Sequence, residues 1–281
     1  MKLVRYGEKG REKPGIVDAA GALRDISGIV ADITPAFLAS PLYGELRRAD
    51  PASFPLVSGN VRYGVPVSHV GKFVCVGLNY ADHAKEAGLP IPDEPILFMK
   101  ATSAVQGAND TVVLPRGHTK GDWEVELGIV IGKPAKYVSE ADAMSHVAGF
   151  CVVNDLSERA FQMERGGQWV KGKSCDTFGP VGPWLVSPDE VADVQNLGIW
   201  LELNGRRIQD SSTAQMIFPV AHLVSYISQF MSLQPGDIIS TGTPPGVGAG
   251  MKPPLWLKAG DEMRLGIDGL GVQVQIVTEE A

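Results

Sequence analysis

Cysteine is scarce in this chain of 281 residues, and the few cysteines exclude two classes of site. Cys75, Cys151 and Cys175 are odd in number, and no two of them form a C-x-x-C pair. Neither a disulfide framework nor a structural zinc site is therefore indicated. Two of the three lie in or beside apolar runs, so we expect small core residues there.

Long apolar runs and basic clusters are also missing. No stretch reaches the about 18 apolar residues that a membrane span needs. The net charge is −7 and lysine and arginine are scattered, so we expect no nucleic-acid partner and no anionic membrane surface. The start of the chain, MKLVRYGEKG, becomes charged too early for a signal peptide, and we expect the cytoplasm.

What the chain does contain is the composition of an ordinary globular protein, with 44% hydrophobic and 20% charged residues. Residues 1–65 predict a small β-rich module, with short apolar runs at 3–6, 15–18 and 22–26 separated by turns that contain glycine. Pro35 suits the first turn of a short helix. A proline-rich linker then leads to a larger domain over residues 70–281.

Strands dominate the larger domain. Apolar runs predict strands at 73–77, 96–99, 124–131, 148–153, 199–203, 237–240 and 263–267. The predicted helices are fewer and short, at 80–87, 139–145, 156–165, 188–192 and 219–231. Strands and helices do not alternate regularly, which argues against a doubly wound fold and a TIM barrel. We expect a β-rich α+β domain with a rolled or sandwich-like sheet.

The predicted strand at 124–131 carries two acids on one face. Side chains alternate along a strand, so Glu124 and Glu126 point the same way. Residues 127–131 are apolar apart from one glycine, which indicates that this face is covered too. Burying two neighbouring carboxylates is unfavourable without a cation, and Mg²⁺, Mn²⁺ and Ca²⁺ prefer carboxylate oxygens. An edge strand whose glutamates face water remains the alternative.

A second polar group follows the predicted strand at 148–153. Asp155 lies where this strand ends and a helix begins, so a metal ligand and a helix cap at Asn154 or Asp155 are both open. Arg159 and Gln162 are three residues apart and share a helix face. Lys173 lies in the polar segment that comes next. Each residue alone is typical of a solvated surface, but together they form a dense polar set.

The short helix predicted at 80–87 carries His83 and Glu86, whose side chains can meet at this spacing. A carboxylate beside an imidazole raises its basicity and fixes its tautomer, which suits activation of a water molecule. An exposed ion pair is the alternative. Near the C-terminus, the strand at 237–240 leads into a loop of small residues whose N–H groups suit an anion. That loop lacks the G-K-[ST] of a nucleotide site.

Taken in order, these motifs resemble the fumarylacetoacetate hydrolase superfamily. They are G-x-N-Y-x-x-H-x-x-E at 77–86, E-x-E at 124–126, N-D-x-S-x-R at 154–159, K-S-C-D-T at 173–177 and T-G-T-P at 241–244. The resemblance covers the chain from about residue 70, and the N-terminal module is similar to one that a subset of the family carries. It implies a mixed β-roll core, a homodimer, and Mg²⁺ or Mn²⁺ (with Ca²⁺ also allowed) held by Glu124, Glu126 and Asp155.

The resemblance also implies a reaction. A 2,4-dioxo acid would chelate the metal, His83 with Glu86 would activate water, and carbon–carbon cleavage would release pyruvate beside Lys173. The segment that bears His83 would act as a lid over the bound substrate. The implied substrate contacts are Tyr80, Arg159, Gln162, Thr241, Gly242 and Thr243.

Members of this superfamily catalyse several reactions on the same metal site. A lyase or decarboxylase acting on ureidoglycolate or oxaloacetate is the alternative to the hydrolase, while His83 with Glu86 favours hydrolysis over hydration and isomerisation. The stretch 164–169, together with the N-terminal module, resembles members that cleave 2,4-diketo-3-deoxy sugar acids. A non-catalytic metal-binding protein on the same fold is disfavoured by the retained pair. The sequence leaves open the substrate, the metal and the oligomeric state.

Overall fold

Strands form most of the regular structure in the computed structural model, which describes residues 1–280. In chain order the strands are β1 Lys2–Tyr6, β2 Lys13–Val17, β3 Leu23–Asp25, β4 Phe73–Gly77, β5 Ile96–Lys100, β6 Val105–Gly107, β7 Val112–Leu114, β8 Gly121–Asp122, β9 Val125–Ile131, β10 Val147–Asn154, β11 Ser157–Glu158, β12 Gly179–Val186, β13 Gly198–Leu203, β14 Arg206–Ser212, β15 Ile238–Ser240, β16 Glu262–Ile267 and β17 Gly271–Glu279. The α-helices are α1 Pro35–Leu38, α2 Pro41–Leu46, α3 Ala81–Ala87, α4 Glu140–Ala143, α5 Arg159–Met163, α6 Val170–Lys173 and α7 Val220–Phe230.

Two large mixed sheets carry the fold. The first has the strand order β3-β2-β1-β12-β10-β9-β15-β4-β5, with β6 pairing parallel to β12. The second has the order β14-β13-β16-β17-β7, and β11 pairs with β8 in a small third sheet. Antiparallel pairs such as β9 with β10 lie beside the parallel pair of β15 with β4. The predicted β-rich α+β fold is therefore confirmed.

Apolar side chains cover both faces of β9. Leu127 and Ile129 belong to a core cluster that also contains Leu201 and Leu265 of the second sheet. Val130 points to the opposite face and packs in another cluster with residues of the N-terminal segment. Burying one such side chain contributes about 1.5–3 kcal/mol, so this strand is held firmly from both sides. The alternative of an edge strand facing water is wrong.

The N-terminal strands continue the first large sheet. β1 pairs antiparallel with β12, with Lys2 opposite Val186 and Leu3 opposite Leu185. Helices α1 and α2 cover this part of the sheet, and the Tyr43 hydroxyl donates a 2.5 Å hydrogen bond to the Ala148 carbonyl. The three predicted strands and the helix that begins at Pro35 are confirmed. The division into domains at residues 65–70 stays a prediction.

The structure differs from the predicted elements at several places. β12 was not predicted because Pro180 and Pro183 lie inside it, and proline is unusual in a central strand. The predicted helix at 188–192 is only a 3₁₀ turn over Pro188–Glu190. The predicted helix at 156–165 starts late, because Ser157 and Glu158 pair with β8 before α5 begins.

The cysteines lie in the environments that the sequence predicts. Cys75, Cys151 and Cys175 are free thiols, and the first two are buried as small core residues. Within residues 1–280, no helix combines the length and the apolar character that crossing a membrane requires.

Close backbone packing between β10 and β12 gives the first testable prediction. A Cβ at Gly149 would overlap the carbonyl oxygen of Val186 and lie 2.9 Å from Leu185 Cδ1. We expect Gly149→Ala to lower the free energy of unfolding by about 1–3 kcal/mol, measured by urea denaturation. Gly44 in α2 has no neighbour within 4 Å, so Gly44→Ala should be neutral or stabilising by about 0.5–1 kcal/mol. Equal stability of the two variants would contradict this packing.

Candidate metal centre and substrate cleft

Three buried carboxylates meet where β9 begins and β10 ends. The two strands are antiparallel, with Glu126 opposite Val153. The first residues of β9 therefore lie beside the last residues of β10. Glu124, Glu126 and Asp155 are 7%, 1% and 0% exposed. One oxygen atom of each lies within 4.8 Å of those of the other two. The sequence-predicted ligand residues are thus brought together in one cluster.

Asn154 fixes the strand ends rather than capping a helix. Its side-chain oxygen accepts a 3.2 Å hydrogen bond from the Glu124 N–H, and its amide donates to Gln275 Oε1 at 2.9 Å. The Asp155 N–H donates to the Glu124 carbonyl at 2.9 Å. Helix α5 is capped by Glu158, whose side chain accepts from the Ala160 N–H. The helix-cap alternative for Asn154 and Asp155 is therefore wrong.

Three cationic side chains face the carboxylates. Lys173 Nζ lies 2.5 Å from Glu124 Oε2 and 2.9 Å from Asp155 Oδ2. Arg159 Nη2 lies 2.6 Å from Glu124 Oε1. Lys100 Nζ lies 2.5 Å from Asp155 Oδ1 and donates to the carbonyls of Leu156 and Lys173. Buried charges of both signs therefore alternate across the cluster.

Glu126 has neutral partners instead. Its Oε2 atom accepts a 2.6 Å hydrogen bond from the Ser240 hydroxyl and a 2.8 Å bond from the Gly242 N–H. Both donors lie at the end of β15, which pairs with β9. The end of β15 and the loop after it thus position Glu126 through Oε2, and neither of these two hydrogen bonds uses Oε1.

These environments separate the pKa values of the acids. Burial alone would raise the pKa of Glu124, but the charges of Arg159 and Lys173 outweigh it and lower that pKa to about 2. Burial raises the pKa of Glu126 well above its usual range, and repulsion from Asp155 and Glu124 adds to the effect. Burial would lower the pKa of Lys173, but Asp155 and Glu124 raise it. Lys173 is therefore a cation at neutral pH.

The donor set fits a hard divalent cation. All three groups offer carboxylate oxygens, which Mg²⁺ and Mn²⁺ prefer. Asp155 Oδ1 is fully buried and has no hydrogen-bond donor in the described part of the chain, since its contact with Lys100 is an ion pair without hydrogen-bond geometry. A cation beside Glu126 also removes the repulsion that raises its pKa.

His83 and Glu86 lie on α3 as the spacing predicts. His83 Nδ1 is 3.2 Å from Glu86 Oε2, and the imidazole side chain is only 15% exposed. Glu86 also accepts hydrogen bonds from the Gly246 N–H, at 3.1 Å to Oε1 and 3.2 Å to Oε2. One carboxylate therefore orients the imidazole and ties α3 to the loop after β15.

Further contacts hold the segment around α3 in place. Asp82 accepts a 2.5 Å hydrogen bond from the Ser211 hydroxyl of β14. Glu94 accepts a 2.7 Å hydrogen bond from the Tyr226 hydroxyl of α7. With the Glu86 contact, residues 81–94 are tied to three separate elements at partly exposed positions. The sequence predicts a lid over residues 79–92, which overlaps this segment.

A cavity of about 250 Å³ joins these groups. The predicted site residues that line it are His83, Glu124, Glu126, Arg159, Gln162, Lys173 and Thr243. A wider groove of about 440 Å³ shares His83, Glu124, Arg159 and Gln162 with the cavity and also contacts Glu86. A small acid in the cavity would therefore touch the imidazole, Glu124, Glu126 and the lysine at once.

Three of the predicted substrate contacts already have partners within the protein. The Thr241 hydroxyl donates to the Leu127 carbonyl, the Gly242 N–H donates to Glu126, and the Thr243 hydroxyl donates to the Val125 carbonyl. Tyr80 is fully buried, and its hydroxyl has no hydrogen-bond partner within residues 1–280. Direct contact of Tyr80, Thr241 and Gly242 with a substrate stays a prediction.

Sequence reasoning missed three buried charged residues. Asp122 accepts hydrogen bonds from Arg159 Nε at 2.8 Å and from the N–H groups of Gly248 and Ala249, so it joins α5 to the loop after β15. Asp122 lies two residues before Glu124, so strand alternation places its side chain on the same face as Glu124 and Glu126. This spacing could have indicated Asp122 from the sequence. Glu158 and Lys100 are isolated in sequence and gave no comparable signal.

Known proteins resemble this chain along its whole length. The family model for the fumarylacetoacetate hydrolase C-terminal domain matches residues 72–278. A protein of Burkholderia cenocepacia named only as a hydrolase is 59% identical over 276 residues, which is 98% of each chain.

Solved structures show the same fold. Fumarylacetoacetate hydrolase of Exiguobacterium antarcticum is 33% identical, with a TM-score of 0.87 and complete coverage of both chains. Maleylpyruvate hydrolase of Sphingobium sp. SYK-6, solved in complex with manganese(II) and pyruvate, is 28% identical with a TM-score of 0.83 and complete coverage of both chains. The predicted fumarylacetoacetate-hydrolase-like fold is confirmed.

Metal binding can be tested ligand by ligand. We expect Glu126→Gln and Asp155→Asn each to weaken Mn²⁺ binding by about 100-fold or more in calorimetry, because loss of even an outer-shell partner costs about 10–100-fold. Glu140→Gln, at an acid whose side chain is 57% exposed, is the matched control and should bind Mn²⁺ like the parent protein. Unchanged affinity in both site variants would refute the assignment.

The lid can be tested by hydrogen exchange. Residues 81–94 are held by few, partly exposed contacts, so their amides should exchange readily in the metal-loaded protein without ligand. Adding oxalate should slow their exchange by about tenfold or more, while buried β9 serves as the internal reference. Identical protection of residues 81–94 with and without oxalate would show that no closure occurs.

Proposed function

Because this chain belongs to the fumarylacetoacetate hydrolase family, we propose that it is a divalent-metal-dependent hydrolase that cleaves a carbon–carbon bond of a 2,4-dioxo acid and releases pyruvate. The observation that carries the proposal is the shared cavity: His83, paired with Glu86, lines the same space as Glu124, Glu126 and Lys173. Water activation and electrostatic stabilisation are therefore available to one small molecule.

His83 is the proposed general base. Its Nδ1 atom faces Glu86, so Nε2 is the nitrogen that accepts a proton from water. The hydroxide formed attacks the carbonyl carbon at position 4 of the substrate. The bond between carbons 3 and 4 then breaks, its electron pair passes to the pyruvate part, and a proton completes pyruvate. The other product is a carboxylic acid.

The remaining groups bind and orient the acid. A divalent cation, when bound by Glu124, Glu126 and Asp155, would polarise the carboxylate and 2-oxo group of the substrate and stabilise the negative charge of bond cleavage. Lys173 adds a second positive charge at that end of the cavity. Gln162 Oε1 accepts a 3.1 Å hydrogen bond from Arg159, which leaves the Gln162 amide N–H groups for a substrate oxygen.

A lyase or decarboxylase that acts on ureidoglycolate or oxaloacetate is the alternative. It would use the same acids and Lys173 but would not need a base to activate water. The pairing of His83 with Glu86 at the cavity favours hydrolysis.

Other details remain predictions. A pyruvate-like ligand and Mn²⁺ are supported by the Sphingobium neighbour, which was solved with manganese(II) and pyruvate. Mg²⁺ and Ca²⁺ rest on the family resemblance alone. The homodimer, the cytoplasmic location and the 2,4-diketo-3-deoxy sugar acid as substrate rest on the sequence.

The base can be separated from the metal-dependent chemistry. We expect His83→Ala to lose about 10²–10⁴-fold in hydrolysis of acetylpyruvate, because that is the usual contribution of one general base. Oxaloacetate decarboxylation and Mn²⁺ affinity should change much less, and Glu86→Gln should show a smaller loss of hydrolysis. Rates are measured by following the 2,4-dioxo acid and pyruvate.

His118→Ala is the control for this experiment, because His118 does not line the cavity. Hydrolysis at the parental rate by His83→Ala would show that His83 is not the base. Decarboxylation of oxaloacetate without any hydrolysis by the parent protein would favour the alternative function.

A further inference from the structure

The cavity is lined by charged and by apolar side chains. The charged residues that line it, among those the structure describes, all belong to the cluster of acids and bases described above. Leu89, Ile96, Phe98 and Trp169 form an apolar wall of the same cavity, with Leu89 and Ile96 53% and 39% exposed at its rim. A ligand held by the charged residues therefore also contacts apolar side chains in the same cavity.

This apolar wall has a defined geometry. The rings of Phe98 and Trp169 meet edge to face, with centroids 5.2 Å apart. Lys173 Nζ lies 5.0 Å from the centroid of the Phe98 ring, so the wall begins directly beside the charged cluster. A Cβ at Gly77 would lie 2.8 Å from Trp169 Cζ3, so glycine is what allows the indole to pack against the end of β4.

A charged tail would find no free partner there. Arg159 is already paired with Asp122 and Glu124, and Lys173 with Glu124 and Asp155. A carboxylate against Phe98 and Trp169 would lose part of its hydration without gaining an ion pair, and sugar hydroxyls would lose some hydrogen bonds to water. An alkyl or aryl group gains instead, by about fourfold in affinity for each methylene group buried.

We propose that Leu89, Ile96, Phe98 and Trp169 form the subsite for the acyl tail, and that this tail is a small uncharged alkyl or aryl group. The substrate class is then an acylpyruvate with a short apolar acyl group, since about 250 Å³ must also hold the dioxo acid. This inference rests on the proposed hydrolase function and names its substrate class.

The wider groove offers the competing path for a tail. It is lined by Met163, Val247 and the exposed Lys252, which suits a carboxylate. However, Glu126 and Lys173 line the cavity and not the groove, so the cavity continues directly from the charged cluster.

The first test compares binding without turnover. We expect the Mn²⁺-loaded protein to bind 2-oxohexanoate at least about tenfold more tightly than 2-oxoadipate in calorimetry, because the two acids differ only in the terminal carboxylate. The second test compares kcat/KM for 2,4-dioxoheptanoate, 2,4-dioxopimelate and a 2,4-diketo-3-deoxy sugar acid. The alkyl substrate should exceed each of the others by about tenfold or more.

Variants on one strand locate the subsite. Residues 96 and 98 share a face of β5, while Met99 lies on the opposite face. Ile96→Arg places a cation at the partly exposed rim and should shift the preference toward 2,4-dioxopimelate by about tenfold. Met99→Arg adds the same charge on the other face and should keep the parental preference. Trp169→Ala should reduce kcat/KM for 2,4-dioxoheptanoate more than kcat/KM for acetylpyruvate, which has the shorter acyl group.

The outcomes separate this inference from the proposed function. The parent protein could instead prefer 2,4-dioxopimelate, and Lys252→Met could abolish that preference. This result would place the tail in the groove and overturn the apolar subsite, while the hydrolase proposal stands. Fastest cleavage of the sugar acid would overturn it as well. If no 2,4-dioxo acid is cleaved but 2-oxohexanoate still binds more tightly than 2-oxoadipate, the hydrolase proposal fails and the apolar subsite stands. If neither acid binds and none is cleaved, both fail.

Discussion

Antiparallel pairing of β9 with β10 is the constraint on which the rest of the site depends. It brings Glu124, Glu126 and Asp155 together in a place that water barely reaches, and charged groups cannot stay there without partners. Elements from distant parts of the chain supply those partners: β5 brings Lys100, α5 brings Arg159 and α6 brings Lys173. Breaking one such buried pair costs about 3–5 kcal/mol, yet apolar replacements of whole networks often stabilise proteins. The cluster is therefore better explained by chemistry than by stability.

Burial of this edge requires cover on both faces of the sheet. The second sheet packs on one face through residues such as Leu201 and Leu265. The N-terminal segment covers the other face, where Ile16 and Phe37 share a cluster with Val130 and Cys151. These apolar contacts keep water away from the strands that carry the acids, and the lower local polarity strengthens every charge–charge interaction there. The N-terminal segment thus contributes to the electrostatics of a site that it does not touch.

The parts of the site that follow a short-range pattern could be predicted from the sequence. Strand alternation and the apolar run 127–131 placed Glu124 and Glu126 on one covered face, and the three-residue spacing placed His83 near Glu86. Their assignment as metal ligands and base came from the resemblance of the motifs to the family. Lys100 could not be identified, since a single lysine at the end of an apolar strand does not show which distant acid it meets. β12 was missed because its prolines mask a central strand, and the apolar wall because Phe98 and Trp169 come together only through tertiary packing.

Glu86 touches two groups that otherwise have nothing in common, the His83 imidazole and the Gly246 backbone N–H. The carboxylate that orients the imidazole therefore also docks α3 against the neighbouring loop. When α3 swings away, His83 and Glu86 move together because both lie on α3, and the proposed base leaves the acids and Lys173. The apparent rate constant then scales with the fraction of molecules in the docked state. Under the proposed mechanism, water is activated only while α3 is docked, because only then does His83 face the acids and Lys173.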